Sequence, residues 1–324
     1  MGMNMRQKIA TVFGATGFLG RHVVRAFIDA GYTVRAVTRT AQKAYFLRPY
    51  GEVGQVVPLS AMMDDPDGVE ACVRGADTVV YLPGVLHASK DGFARVHVEY
   101  PAQIADAAAR LHVRRFIHIS ALACERGKSL YARTKRAGEM AVQLAYPNAV
   151  ILRPSILFGP EDGFFARFAG MARSLPALPL IGGGLTRFQP VFVGDVAKAV
   201  LNAATLPPHG HQNPEGRIYE LGGPSVYSFK ELMQKILVQT GIKAGLVTLP
   251  YGLARVMGRI MQVLPGAPLT ADQVKSLKTD NIVATGASGL DALGVDATAL
   301  ETVLPSILAR FRDGGPAAHK TQAV

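Results

Sequence analysis

The stretch "KIATVFGATGFLGRHVVRAFIDAGY", residues 8–32, decides how this chain folds. Its opening, Ile9 to Phe13, is apolar and partly β-branched and runs into glycine, the pattern of a buried strand. Its close places Leu19, Val23, Val24 and Phe27 on one side at helical spacing and stops at Gly31. Between the two, Gly14, Gly17 and Gly20 stand in G-x-x-G-x-x-G spacing. Glycines there permit a tight turn and let backbone N–H groups approach a pyrophosphate, which the positive end of the following helix also attracts. Three glycines alone are a weak signal. Their place between the first strand and the first helix makes them a dinucleotide loop.

The same alternation continues. Strand-like runs "TVRAVTR" (33–39), "QVVPLS" (55–60), "DTVVYLPG" (77–84), "RRFIHISA" (114–121) and "NAVILRPSILFG" (148–159) are interleaved with helical segments such as "PAQIADAAARLHV" (101–113). This rhythm predicts an α/β fold, a doubly wound parallel Rossmann sheet covered on both faces. Beyond residue 160 Pro and Gly become frequent. Residues 228–242 carry a Ser N-cap and apolar i, i+3, i+4 spacing. The expected organisation is a nucleotide-binding domain over 1–160, its sheet completed by parts of 185–225. A smaller, interleaved C-terminal lobe for substrate or partner follows over 161–312, then a disordered tail over 313–324.

Composition narrows the class. Hydrophobic residues at 49% and charged residues at 18% describe a globular chain. No apolar run approaches the ~18–20 residues of a membrane-spanning helix, and no signal-peptide core precedes the first strand. Cys72 and Cys124, the only cysteines, are expected to be free buried thiols in a reducing compartment. The expected location is therefore cytoplasmic. The net charge is +11, and residues 1–50 hold eight Lys or Arg against the single acid Asp29. Such an excess suits a phosphorylated ligand, an anionic membrane surface or an acidic protein. No nucleic-acid motif accompanies it, and no histidine spacing suggests a metal.

The second strand selects the cofactor. An NAD site usually ends this strand in an acid that binds the ribose 2′-OH; here Thr38 stands at that position and Arg39 follows. With no carboxylate to repel a 2′-phosphate and a guanidinium to bind it, NADP(H) is favoured over NAD(H). The second chemical signal is "SLYARTKRAGE" (129–139), in which Tyr131 and Lys135 share one helical face. A cation beside a phenol favours phenolate, so the pair can shuttle a proton to a substrate oxygen. Both can equally hydrogen-bond a ribose without turnover.

Together the glycine loop, Tyr131-x-x-x-Lys135 and "RPSILFGP" (153–160) resemble the extended short-chain dehydrogenase/reductase superfamily over residues 7–205. "GPEDGFF" and "QPVFVGDVA" make the chain most similar to an atypical branch. That branch contains the nucleotide-binding accessory subunit of respiratory complex I and its bacterial relatives. The resemblance implies that Gly14, Thr16, Gly17, Phe18, Leu19 and Gly20 wrap the pyrophosphate, and that Arg39 with Lys43 holds the 2′-phosphate. It places Leu82, Pro83 and Gly84 on the adenosine side, Tyr131 and Lys135 on the nicotinamide ribose, and Pro154 to Ile156 beside the nicotinamide. In active relatives Tyr is the proton donor, Lys supports it, and a hydroxyl after the fifth strand orients substrate.

This chain departs from the pattern at that hydroxyl. "HISALAC" sets Ser120 before Ala121, so the orienting hydroxyl is replaced by a methyl unless the register slips and Ser120 serves. Leu59–Ser60 replaces an adenine-binding Asp, and His97 stands where an Asn often props the catalytic helix. Two functions follow. One is an NADP(H)-binding accessory or assembly subunit of the membrane NADH:quinone oxidoreductase, with the nucleotide mainly structural. Its C-terminal lobe would meet the partner, and the amphipathic stretch 251–264 would lie at the membrane surface or in the core. The other is a soluble NADP-dependent reductase or epimerase/dehydratase, with Tyr131 as acid/base and Arg187 on a substrate anion.

Overall fold

The computed structural model describes residues 7–210, 212–261 and 269–312. Seven parallel strands form the central sheet: β1 (Ile9–Phe13), β2 (Thr33–Thr38), β3 (Val56–Ser60), β4 (Thr78–Tyr81), β5 (Arg115–Ile119), β6 (Val150–Pro154) and, after four short strands, β11 (Ile218–Leu221). Their order is β11-β6-β5-β4-β1-β2-β3. The inner strands β4, β5 and β6 are buried along their whole length, whereas the edge strand β3 is only partly covered. That is the burial pattern of a parallel sheet roofed on both faces. The order reverses between β1 and β4, which opens a crevice beyond the strands' carboxyl ends, the usual ligand position in such sheets.

On one face helices α1 (Phe18–Asp29) and α7 (Val193–Thr205) pack through Val23, Val24, Phe27, Val196 and Val200. The other face carries α2 (Pro66–Val73), α4 (Tyr100–Arg110) and α5 (Leu130–Ala145), with Ile104, Ala108 and Val142 against Phe116. The apolar stripe of α1 is the one its periodicity predicts, and Gly31 ends it at φ +79. Helix α4 starts earlier than the sequence suggests. A short α3 (Lys90–Ala94) passes through a π-helical turn at Arg95–Glu99 into it, making one continuous element.

The C-terminal lobe has its own core, in which α6 (Phe165–Ser174), α8 (Phe229–Thr240) and α11 (Leu300–Leu308) meet at Phe165, Phe229, Ile236 and Leu304. Helix α8 has the expected Ser228 cap, a capping box with Glu231, and Gly241 in the left-handed region at its end. The remaining short strands pair locally: β7 (Leu157–Phe158) with β10 (Val191–Phe192), β9 (Arg187–Phe188) with β12 (Tyr227–Ser228), and β8 (Ala177–Ile181) with β13 (Gly245–Leu249). Helices α9 (Tyr251–Met261) and α10 (Ala271–Ser276) close the lobe over a small cluster of Ile181, Ala254 and Val274. Residues 262–264 of the amphipathic stretch and the 313–324 tail lie outside the described residues.

Candidate functional site

The glycine loop is shaped by contacts that exclude side chains. Gly14 sits at φ +80, and a β-carbon on it would meet Pro83 at 3.2 Å. A β-carbon on Gly20 would lie 2.2 Å from the Gly14 carbonyl oxygen, so the first turn of α1 rests on the loop itself. Gly17 is the N-cap of α1 and supplies no side chain, and the first turn carries no acid. The first N–H groups of a helix have no partner within it, so here they face the crevice with the positive dipole end behind them. A dinucleotide pyrophosphate fits this cradle.

Beyond the carboxyl end of β2, Arg39 and Lys43 are both exposed and form no ion pair among the described residues. Lys43 lies on a 3₁₀ segment (Ala41–Tyr50) after β2. The Thr38 hydroxyl turns back to donate to the Thr40 carbonyl at 2.6 Å, and Ser60 donates to the Arg39 carbonyl at 3.0 Å. No carboxylate therefore faces this end from β2 or β3. Leu82 donates its N–H to the Phe13 carbonyl (3.2 Å), which brings Leu82, Pro83 and Gly84 against the glycine loop. Gly84 is next to the second half of the site, since a β-carbon on it would stand 3.2 Å from Lys135 Nζ.

Helix α5 carries Tyr131 and Lys135. Lys135 is buried, and its Nζ donates to the Ile119 carbonyl at 3.0 Å. Burial in this spot pushes its ammonium down to about 8. Tyr131 is half-buried, and burial pushes its phenol up. The shift is opposite to the lowering expected from a neighbouring cation: burial and then Cys124 raise the phenol, and the Lys135 ammonium is committed to a carbonyl. His97, buried in the π-helical turn, props α5 as its position suggests. Its Nε2 accepts from the Val85 N–H (3.1 Å) and its Nδ1 meets Thr134 Oγ1 (2.9 Å), which in turn donates to the Leu130 carbonyl. Burial, then Lys135, hold His97 down to about 3 and keep it neutral, and an accepting Nε2 fixes the Nδ1–H tautomer. Gly138 allows the fit: a β-carbon there would sit 1.8 Å from the His97 carbonyl oxygen. His118 is buried and stacked on Tyr81.

Among the described residues Ser120 forms no hydrogen bond with Tyr131. Its hydroxyl lies against Cys124 Sγ (3.9 Å), in a buried network where Cys124 donates to Glu139 (3.2 Å) and Arg153 grips both Glu139 oxygens at 2.7 and 2.6 Å. Burial pushes the Cys124 thiol up to about 12. For Glu139 burial alone would raise the carboxyl, but the Arg153 hydrogen bonds bring it down to about 2. Both cysteines are free and buried. Pro154 ends β6 and Ile156 is half-buried, while the intervening Ser155 hydroxyl donates to Asn281 Oδ1 at 2.6 Å.

Asn281 and its neighbours were not foreseen. The segment after α10 crosses the carboxyl ends of β5 and β6, with Asn281 Nδ2 donating to the Leu122 carbonyl (3.1 Å). Asp280 holds Arg187 through Nε (2.9 Å) and a terminal nitrogen (2.8 Å). Arg187 is thus paired within the chain and does not stand ready for a substrate anion. From α10, Asp272 accepts the Leu130 N–H at 2.7 Å and the Tyr131 N–H at 3.0 Å. Among the described residues no cluster of His, Cys, Asp or Glu could hold a metal.

This sheet and crevice are those of an NAD(P)-binding fold. Residues 10–222 match the NAD dependent epimerase/dehydratase family, and the chain belongs to it. Among curated proteins it is similar to NADH dehydrogenase (ubiquinone) 1 alpha subcomplex subunit 9, mitochondrial, of Rattus norvegicus, with 35% identity over 94% of this chain and 80% of that one. It is also similar to ceramide reductase of Caulobacter vibrioides, with 31% identity over 75% of this chain and 74% of the relative. Among solved structures, triphenylmethane reductase of Citrobacter sp. complexed with NADP(H) shares the fold at a TM-score of 0.73 and 20% identity, covering 93% of this chain and all of that one (100%).

Proposed function

We propose that this chain is an NADP(H)-binding accessory or assembly subunit of a membrane-bound NADH:quinone oxidoreductase, in which the nucleotide serves mainly as a structural ligand. The observation that carries the reading is the likeness, over 94% of the chain, to a subunit of respiratory NADH dehydrogenase. The site supports it. Its nucleotide-holding parts are complete, from the glycine cradle to Arg39 and the buried Lys135, while the substrate-orienting hydroxyl is replaced by Ala121 and Ser120 faces the Glu139 network. A nucleotide that binds only the folded chain stabilises it by mass action. Bound, it would supply a hydride at the nicotinamide. The chain's own residues would place Lys135 on the ribose and Gly84 beside it. The half-exposed apolar face of α9 suits a surface contact through the C-terminal lobe, and no helix among the described residues is long and apolar enough to cross a membrane.

The test is a native gel of gently solubilised membranes probed for this chain. Co-migration with NADH:quinone oxidoreductase activity is the expected result; recovery only as a free monomer or dimer would sink the reading.

A second reading is an NADP-dependent reductase, favoured by the retained Tyr131–Lys135 pair and by the ceramide reductase relative. Ala121→Ser distinguishes the two. Restored hydroxyl chemistry should raise the turnover of a reductase at least about tenfold and leave a non-catalytic subunit silent.

A further inference from the structure

Beside the Tyr131 turn lies a second cavity of about 540 Å³, between residues 86–93 on one side and helices α9 and α10 on the other. Four basic side chains line it: His87, Arg255, Arg259 and Lys275. Neither arginine nor the lysine forms an ion pair among the described residues. The carboxylate that lines the cavity, Asp272, already accepts the Leu130 and Tyr131 N–H groups. Positive charge therefore predominates in this cleft: three permanent cations and His87 face one carboxylate, whose two oxygens are already taken by backbone N–H groups. Its walls include Leu86 and Phe93, and Leu86 is largely exposed.

The cleft adjoins an uncovered apolar face. Helix α9 buries only Ala254 and Gly258, one turn apart. A β-carbon on Gly258 would come within 2.8 Å of the Ala271 nitrogen, so α9 lies backbone-close against the start of α10 and its larger side chains point outward. Leu253, Val256, Met257 and Ile260, at i, i+3, i+4 and i+7, form one exposed stripe, with Ile260 66% exposed. Arg255 and Arg259 flank that stripe, with stems able to follow apolar surface while their heads stay polar. An inorganic anion would satisfy the cations and leave the stripe in water. A ligand that is anionic at one end and hydrocarbon at the other satisfies both.

We propose that this cleft binds the headgroup phosphate of an anionic phospholipid, with the apolar face of α9 seated among the acyl chains of the same leaflet. The inference rests on the membrane-surface position in the proposed function and gives that position its ligand. The geometry is that of a helix lying in the interfacial plane, and each basic residue near an anionic leaflet adds to the attraction.

The experiment is co-flotation of the purified full chain with phosphatidylcholine vesicles, with and without equimolar phosphatidylglycerol. The chain should float with the anionic vesicles only. Arg255→Glu with Arg259→Glu should weaken that binding at least about tenfold, and Met257→Ser with Ile260→Ser should weaken it while leaving the charge unchanged. Arg25→Glu with Lys198→Glu removes equal charge from the exposed faces of α1 and α7 and should have much less effect. NADP(H) affinity should be the same in all variants, showing that each folds. Equal losses in the cleft and control variants would reduce the effect to net charge and overturn the site. Absence of flotation would also overturn it, as would protection of α9 only inside the oxidoreductase, where a protein surface would be the cover. Native-gel co-migration is read separately, so failure of the lipid site and failure of the subunit reading are distinct results.

Discussion

Asp272 accepts the backbone N–H of Tyr131 at 3.0 Å, joining the C-terminal lobe to the first turn of the helix that carries the Tyr–Lys pair. The two residues are 141 positions apart, and the same carboxylate takes the Leu130 N–H. Ser129 caps the same helix by accepting from Ala132, so three N-terminal donors of α5 are satisfied by two side chains from different lobes. A carboxylate at this end is also attracted by the positive end of the helix dipole.

Asp272→Ala should therefore cost about 1–2 kcal/mol and lower the melting temperature by a few degrees. It should also weaken nucleotide binding, because that first turn carries Tyr131 and leads into the turn that carries Lys135. A calorimetric melt with and without NADPH checks both. An unchanged melt would mean that the contact does not hold α5.

The loop at Gly20 has no room for a methyl group. Gly20→Ala would press a β-carbon to 2.2 Å from the Gly14 carbonyl and should destabilise the chain by about 2 kcal/mol or more, with loss of nucleotide binding. Gly163→Ala, where nothing lies within 4 Å, should be close to neutral. Titration calorimetry on the two variants decides; retained NADPH binding in Gly20→Ala would contradict the cradle.

Cofactor choice is testable at Arg39. A charge-assisted contact to a 2′-phosphate contributes about 1.5–3 kcal/mol, so Arg39→Ala should weaken NADPH about tenfold or more and leave NADH unchanged. If the NADPH/NADH affinity ratio does not move in Arg39→Ala combined with Lys43→Ala, the 2′-phosphate is not held there.

The buried Glu139–Arg153 pair predicts a particular acid response. Glu139 is held at about 2 in the folded chain against an ordinary 4.5, so the folded state binds its proton less readily than the unfolded one. That stabilisation is complete above about pH 4.5 and is lost as pH falls through 4.5 towards 2, with a magnitude on the order of 3 kcal/mol. Glu139→Gln should be less stable than the parent at pH 7, and the difference should shrink as pH falls through this window. A difference independent of pH, followed by denaturant unfolding, would rule the linkage out.

Much of the sheet was legible because its signals are local. Strands alternating with helices, the Leu19–Phe27 stripe and the Ser228 cap depend on residues within a few turns of one another, and all three stand as read. The π-helical turn at Arg95–Glu99 was not legible, since its register is set by tertiary partners: Tyr81 donating to the Val96 carbonyl and Gly138 admitting the His97 carbonyl. The contacts of Asp272 and Asn281 escaped for the same reason, because nothing near them in the chain says that they reach α5 and β6. The Tyr131 phenol was misjudged because helical spacing reports that Lys135 shares its face, but neither the burial of both groups nor the Ile119 carbonyl that takes the ammonium.

The close approach of Gly20 to the Gly14 carbonyl also bears on how binding is driven. The loop's shape is set by the chain's own backbone contacts, so a nucleotide meets a cradle that is already ordered and loses little conformational entropy in taking it. Preorganisation of this kind would let the loop keep one conformation whether or not a nucleotide is bound.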